Sequence, residues 1–159
     1  DEAADLCLFL SLGMTISLFI CTVFPNGTDL RVPAIPSHSF FESLVWMIQC
    51  TDTPTNVFPS IHVFNALAVH VAVMRSKSLA HHPTVQRTSL TLMVLICLST
   101  VFLKQHSVLD VLGALLLGYF VNAIVYAGYE VPALIPAGAD ALFQRKKKPA
   151  RAYRQVHKK

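Results

Sequence analysis

From Thr88 to Tyr129 the chain carries almost no charge, and the length of that run constrains the architecture most. As a single α-helix it would extend about 63 Å at 1.5 Å per residue, twice the roughly 30 Å of hydrocarbon in a bilayer. It must fold back on itself, and its strongest polar interruption is Lys104-Gln105-His106-Ser107. One span is therefore expected over 88–103 and another over 107–129, the latter with Gly113, Ala114, Gly118 and Gly128 to allow close helix packing. An earlier run, Leu6 to Phe24, has no charge at all and is long enough to cross once. Ile61 to Met74 is a shorter apolar run that contains Asn65 and His70. Of the 159 residues only 14% are charged and 53% are hydrophobic, where a soluble domain carries roughly 25% charged residues. The expected fold class is all-α, a polytopic membrane helix bundle with about four transmembrane helices in this chain.

The segments between the runs organise the bundle. Asp1-Glu2-Ala3-Ala4-Asp5 is acidic, whereas a signal peptide begins positive, so the first run reads as a span. With no initiating Met and a span so near its start, the chain is expected to lack its natural N-terminus. Pro25 to Pro59 is polar and interrupted by prolines; within it, Phe40 to Ile48 reads as a short interfacial helix, with Trp46 where tryptophan is favoured. Arg75 to Arg87 is a basic stretch without an acid, expected to be a loop because Pro83 interrupts any helix. The final stretch, 144–159, holds most of the chain's basic residues and no acid. It divides the chain into a membrane-embedded domain, 1–143, and a basic cytoplasmic tail, 144–159, drawn to anionic lipid. Tyr153 is the tail's one aromatic residue, which argues against nucleic acid as a partner. Placing both basic segments on the cytoplasmic side puts the starts of the second and fourth spans together on the outer face. The expected location is the plasma membrane, with an extracytoplasmic site and a cytoplasmic C-terminus.

That outer face collects the chain's reactive residues. Ser60, after Pro59 and before an apolar run, occupies a helix N-cap position, and His62 falls in the first turn of that helix. A helix N-terminus favours anions. His106 and Asp110 are four residues apart, so on a helix they would share a face, and an acid one turn from a histidine can fix its tautomer and leave the other nitrogen free. Ser60, Ser99 and Lys104 complete a set able to cradle a phosphate. Asp52, Thr53 and Asn56 either line the rim or serve the turn before Pro59. His70 reads as a packed or hydrogen-bonded histidine, His38 as a loop residue, and His81-His82 as solvated, since adjacent helical residues point about 100° apart. The four cysteines are scattered without C-x-x-C spacing, which suggests neither zinc nor disulfides. Nor is there a carboxylate cluster for magnesium, and no cofactor is expected.

Pro59-Ser60-Ile61-His62 resembles the Pro-Ser-x-His signature of the phosphatidic acid phosphatase type 2 / vanadium haloperoxidase superfamily. Ser99, His106 and Asp110 match the spacing of its Ser-Arg-x5-His-x3-Asp signature, with Thr100 at the arginine position. The remaining signature, Lys-x6-Arg-Pro, is only partly present: Val32 separates Arg31 from Pro33, and Phe24 stands at the lysine position. The likeness covers about 25–129 and implies a six-helix core, of which this chain holds the later part.

The resemblance also implies roles. His106 would attack phosphorus to form a phosphohistidine, Asp110 would orient it, and His62 would protonate the leaving oxygen and then activate water. Ser60, Ser99 and Arg31 would hold phosphate oxygens, with Lys104 the candidate to replace the missing arginine; lysine supplies point charge without arginine's fork. The implied function is metal-independent hydrolysis of a lipid phosphate or polyprenyl diphosphate at the outer membrane face. Two alternatives stand beside it: a phosphotransferase with an alcohol acceptor, and a lipid-phosphate binding protein that has lost catalysis. Membrane embedding argues against haloperoxidase chemistry.

Overall fold

The structure, a computed structural model, describes residues 2–30 and 39–126. The basic tail, His38 and the last residues of the final expected span lie outside them. Five helices follow in order: α1 (Glu2–Val23), α2 (Phe40–Thr51), α3 (Ile61–Arg75), α4 (Pro83–Phe102) and α5 (Val108–Val125). The described residues contain no strand beyond an isolated bridge between Gly27 and Thr55. α1, α4 and α5 are each long and apolar enough to cross a membrane, whereas α3 is apolar but shorter. Together they form the expected helical membrane bundle.

α3 is the central helix. It packs against α1, α4 and α5, and α1 also packs against α5. Its buried residues, Val63, Phe64, Leu67, Ala68, His70 and Val71, form one broad face of about 160° at about 100° per residue, while His62 and Val69 are exposed. Close approach depends on small residues. The buried face of α1 is Phe9, Gly13, Ser17 and Cys21, a four-residue repeat that places them in one row. A Cβ at Gly13 would collide with the Phe64 ring, which stacks on Phe9 with centroids 5.5 Å apart. On α5, a Cβ at Gly118 would collide with Leu67 and one at Gly113 with Phe58, in line with the packing expected there; Gly128 lies outside the described residues. The outer faces of α4 and α5 present Leu95, Leu98, Phe102, Leu112, Leu116 and Phe120, an apolar surface suited to lipid rather than water. α2 has no buried residue and exposes Phe40, Phe41, Trp46 and Met47, as befits an interfacial helix.

The structure shifts one expected boundary. Pro83 does not end a helix; it begins α4 at the first helical position, where proline's fixed φ is suited and its missing N–H is not needed. The loop between α3 and α4 is thus shorter than the basic stretch, and Arg87 lies on α4. At this end of the bundle the Lys77 N–H donates to Glu2 Oε1 at 2.8 Å. Arg75 Nη2 donates to Asn122 Oδ1 at 3.2 Å, and its guanidinium lies 4.1 Å from the centre of the Tyr126 ring. His70 is fully buried and shares a 3.1 Å hydrogen bond with Ser89 of α4, the packed role expected for it. His62 and His106 gather at the opposite end.

Candidate active site

Three helix termini build this end. Ser60 caps α3, its Oγ accepting the Val63 N–H at 3.4 Å, and its own N–H donates to the Asp110 carbonyl at 3.2 Å. Ser107 caps α5 in a reciprocal box: its Oγ accepts the Asp110 N–H at 3.3 Å, and Asp110 Oδ2 accepts the Ser107 N–H at 2.7 Å. α4 closes in the Schellman pattern. The Lys104 N–H donates to the Val101 carbonyl at 3.0 Å, and the Gln105 and His106 N–H groups donate to the Thr100 carbonyl at 3.0 and 3.1 Å. Lys104 holds the left-handed position of that motif, at φ 55°.

His106 consequently sits immediately before the N-cap of α5, not on the helix. The four-residue spacing suggests a shared helical face, but the Schellman turn delivers His106 from the α4 side while Asp110 occupies the third helical position. The His106 Nδ1–Asp110 Oδ2 separation is 3.7 Å, longer than a hydrogen bond, and Nδ1 is buried with no hydrogen-bond partner. The acid's influence is electrostatic, since the same oxygen serves the cap.

A cavity of about 230 Å³ opens beside this ring, lined by Asp52, Thr53, Thr55, Asn56, Val57, Ile61, His62 and His106. The His62 and His106 rings meet edge to face, with centroids 5.6 Å apart. Burial pushes the His106 imidazole below the ordinary 6.5, the Asp110 carboxylate is the largest opposing influence, and His62 adds to the downward push. Burial thus favours the neutral ring, the state a nucleophilic nitrogen requires. The cavity wall is held by paired loops. The Asn56 N–H donates to the Asn26 carbonyl at 2.6 Å, the Phe58 N–H donates to Asn26 Oδ1 at 2.9 Å, and Cys21 Sγ donates to the Phe58 carbonyl at 3.4 Å. Asp52, which the sequence offers only as rim or turn, has a carboxylate that accepts from Gln105 Nε2 at 3.1 Å, while Gln49 Nε2 donates to the Leu103 carbonyl at 3.3 Å. The end of α2 thereby braces the turn that carries His106, a tertiary pairing that has no local signal in the sequence.

His62 and His106 line the cavity, and Asp110 stands 3.7 Å from His106 without lining it; the other candidates do not line the cavity among the described residues. Ser60 is fully buried and spent on capping and docking. Ser99 is exposed, its Oγ donating to the Ile96 carbonyl at 2.9 Å. Lys104 is exposed and ends α4. Arg31 lies outside the described residues. Thr100, at the signature's arginine position, is buried, with its hydroxyl on the Cys97 carbonyl at 2.9 Å. No lysine or arginine lines the cavity among the described residues. The anion-binding groups the geometry does offer are the first N–H groups of α3, at Ile61 and His62, which precede the helix's own hydrogen bonds, and the threonine hydroxyls.

A second cavity, about 800 Å³, lies between α3 and α4. His62, Asn65, Val69 and Val73 line it from α3, and Leu92 and Ile96 are among its residues from α4. His62 lines both cavities.

The model of the PAP2 superfamily matches residues 6–131, most of the chain and all of the site just described. The chain belongs to the PAP2 superfamily. Comparison with curated proteins gives no match, and neither does comparison with solved structures.

The turn at Lys104 makes a direct prediction. Lys104→Gly should leave thermal stability in detergent unchanged or raise it, because glycine adopts φ > 0 without strain. Lys104→Val should lower it, because a β-branched side chain is less compatible with φ > 0 than lysine is. Both folded variants should keep kcat/KM within a few fold. Equal destabilisation by the two substitutions would contradict the turn assignment; a loss on the order of 30-fold or more with intact stability would instead place the ammonium on the phosphate.

Proposed function

We propose that this member of the PAP2 superfamily hydrolyses a lipid phosphate, or a polyprenyl diphosphate, at the outer face of a membrane. Membership makes phosphatase chemistry on phosphate esters the expected activity, and the apolar helices make the chain an integral membrane protein. One observation carries the finer reading: His62 lines both a smaller polar cavity, large enough for a phosphate, and a larger apolar groove. A substrate that fills both has a phosphate head and a hydrocarbon body.

The chemistry follows from the positions of the two imidazoles. The phosphate lies at the start of α3, where the Ile61 and His62 N–H groups and the helix dipole favour its charge. His106, neutral and beside that space, attacks phosphorus while the bond from phosphorus to the leaving oxygen breaks, and His62 gives that oxygen its proton. The phosphohistidine is cationic on its ring, and the Asp110 carboxylate stabilises it across the gap described above. His62, now neutral, takes a proton from water as water attacks phosphorus, which releases inorganic phosphate and restores His106. An alcohol in place of water would make the same site a phosphotransferase, and product analysis separates the two.

His106→Ala should abolish turnover of lipid phosphates by inserted protein. His62→Ala should reduce kcat/KM by about 10²–10⁴-fold for alkyl phosphates, and far less for aryl phosphates, whose leaving groups need no proton in the phosphorylation step; kcat should fall for both, because His62 also serves the water step. Equal losses of kcat/KM for both substrate types would contradict the role given to His62.

Sidedness rests on charge. Arg75 and Lys77 lie at the end of the bundle remote from His62 and His106, and basic segments favour the cytoplasm. With Cys50 replaced, a cysteine introduced by Thr53→Cys should react with an impermeant thiol reagent applied to intact cells, and one introduced by Ser78→Cys should not. The reverse labelling pattern would overturn the extracytoplasmic site.

A further inference from the structure

Asn65 stands out in the groove between α3 and α4. Its Oδ1 is buried without a hydrogen-bond partner, in a groove lined mainly by apolar residues such as Ala66, Val69, Leu92, Met93 and Ile96, with Thr84, Thr88 and Ser89 among its polar ones. A desolvated amide acceptor with nothing to accept from is unfavourable in a folded protein, and a bound group that donates to it recovers the loss. Asn65 follows His62 by three residues, so the two share a face of α3, with Asn65 about 4.5 Å further along the groove.

We propose that Asn65 is a specificity-determining residue that hydrogen-bonds a free hydroxyl on the carbon adjacent to the phosphate-bearing carbon of the substrate lipid. The inference rests on the phosphatase reading above and sharpens its substrate class. With the leaving oxygen at His62 and the hydrocarbon body running down the groove, the first substituent to pass Asn65 is the one on that adjacent carbon. A hydroxyl can donate its proton to Oδ1, which supplies the partner this acceptor lacks. An ester-blocked or deoxy position at the same carbon leaves the amide unpaired, and a site built around a polar partner rejects an analogue that lacks it far more strongly than an apolar pocket does. His70 is no competitor for this role, because its ring is already bonded to Ser89.

The test compares 1-oleoylglycerol 3-phosphate, which carries the free 2-hydroxyl, with its 2-deoxy analogue, 3-oleoyloxypropyl phosphate, using the full chain in mixed micelles. The unaltered protein should prefer the hydroxyl substrate by about 10- to 100-fold in kcat/KM. Asn65→Leu, close in volume, should erase that preference while turnover of the deoxy analogue stays within a few fold; Asn65→Ala serves the same purpose if the leucine variant does not fold. No preference in the unaltered protein, or a preference that survives both substitutions, overturns the proposal. If neither lipid releases phosphate, the phosphatase reading fails on its own, and binding of the two corresponding phosphonates decides the role of Asn65. A hydroxyl preference that vanishes in Asn65→Leu upholds it, and equal binding overturns it.

Discussion

A single backbone hydrogen bond, from the Ser60 N–H to the Asp110 carbonyl, joins the start of α3 to the first turn of α5, and the site depends on it. Each helix begins with a capped N-terminus, and the bond sets those two N-termini side by side. His62 is two residues past one cap and His106 one residue before the other, so docking the caps brings the imidazoles together. Ser60 is completely buried, which shields the bond from water. In a region that lies outside any continuous helix, such pairing is what keeps irregular backbone satisfied near a membrane.

The bundle around this joint explains why α3 can be short. Enclosed by α1, α4 and α5, it presents little of itself to lipid, and its polar residues find partners or cavities inside: His70 on Ser89, Asn65 and His62 along the groove. The outer helices meet the bilayer with apolar faces, and α1 and α5 meet α3 with glycine, serine and alanine among their buried residues. The division of labour leaves an apolar outer shell and a central helix that carries His62 at one end. α2 adds an interfacial brace, since the chain at its C-terminal end is hydrogen-bonded to the turn that holds His106.

Much of this is legible in the sequence because it is local. The spans follow from run length against bilayer thickness, and the Ser60 cap follows from a serine between proline and an apolar run. Pairing of His62 with His106 follows from placing both on one face. What is not legible depends on tertiary geometry or on turn type. The left-handed turn at Lys104 uses a residue that does not announce it, where glycine would, and that turn takes His106 off the helix that its spacing from Asp110 suggests. Asp52 and Asn65 are ordinary polar residues in sequence; only the approach of Gln105 to one and of α4 to the other gives them a role. Ser99 matches a signature by spacing alone, yet its hydroxyl turns back to its own helix.

The central claim is that His106 becomes covalently phosphorylated while His62 serves both protonation of the leaving group and activation of water. Quenched-flow trapping with a ³²P-labelled aryl phosphate, followed by peptide mapping, tests it most directly in the His62→Ala protein, where a good leaving group lets the first step proceed and the second is slowed. The account predicts an acid-labile, base-stable label on the peptide that contains His106, accumulating faster than it decays and absent from the His62→Ala/His106→Ala double variant. A label on another residue, or turnover without any phosphoenzyme in this variant, would contradict it.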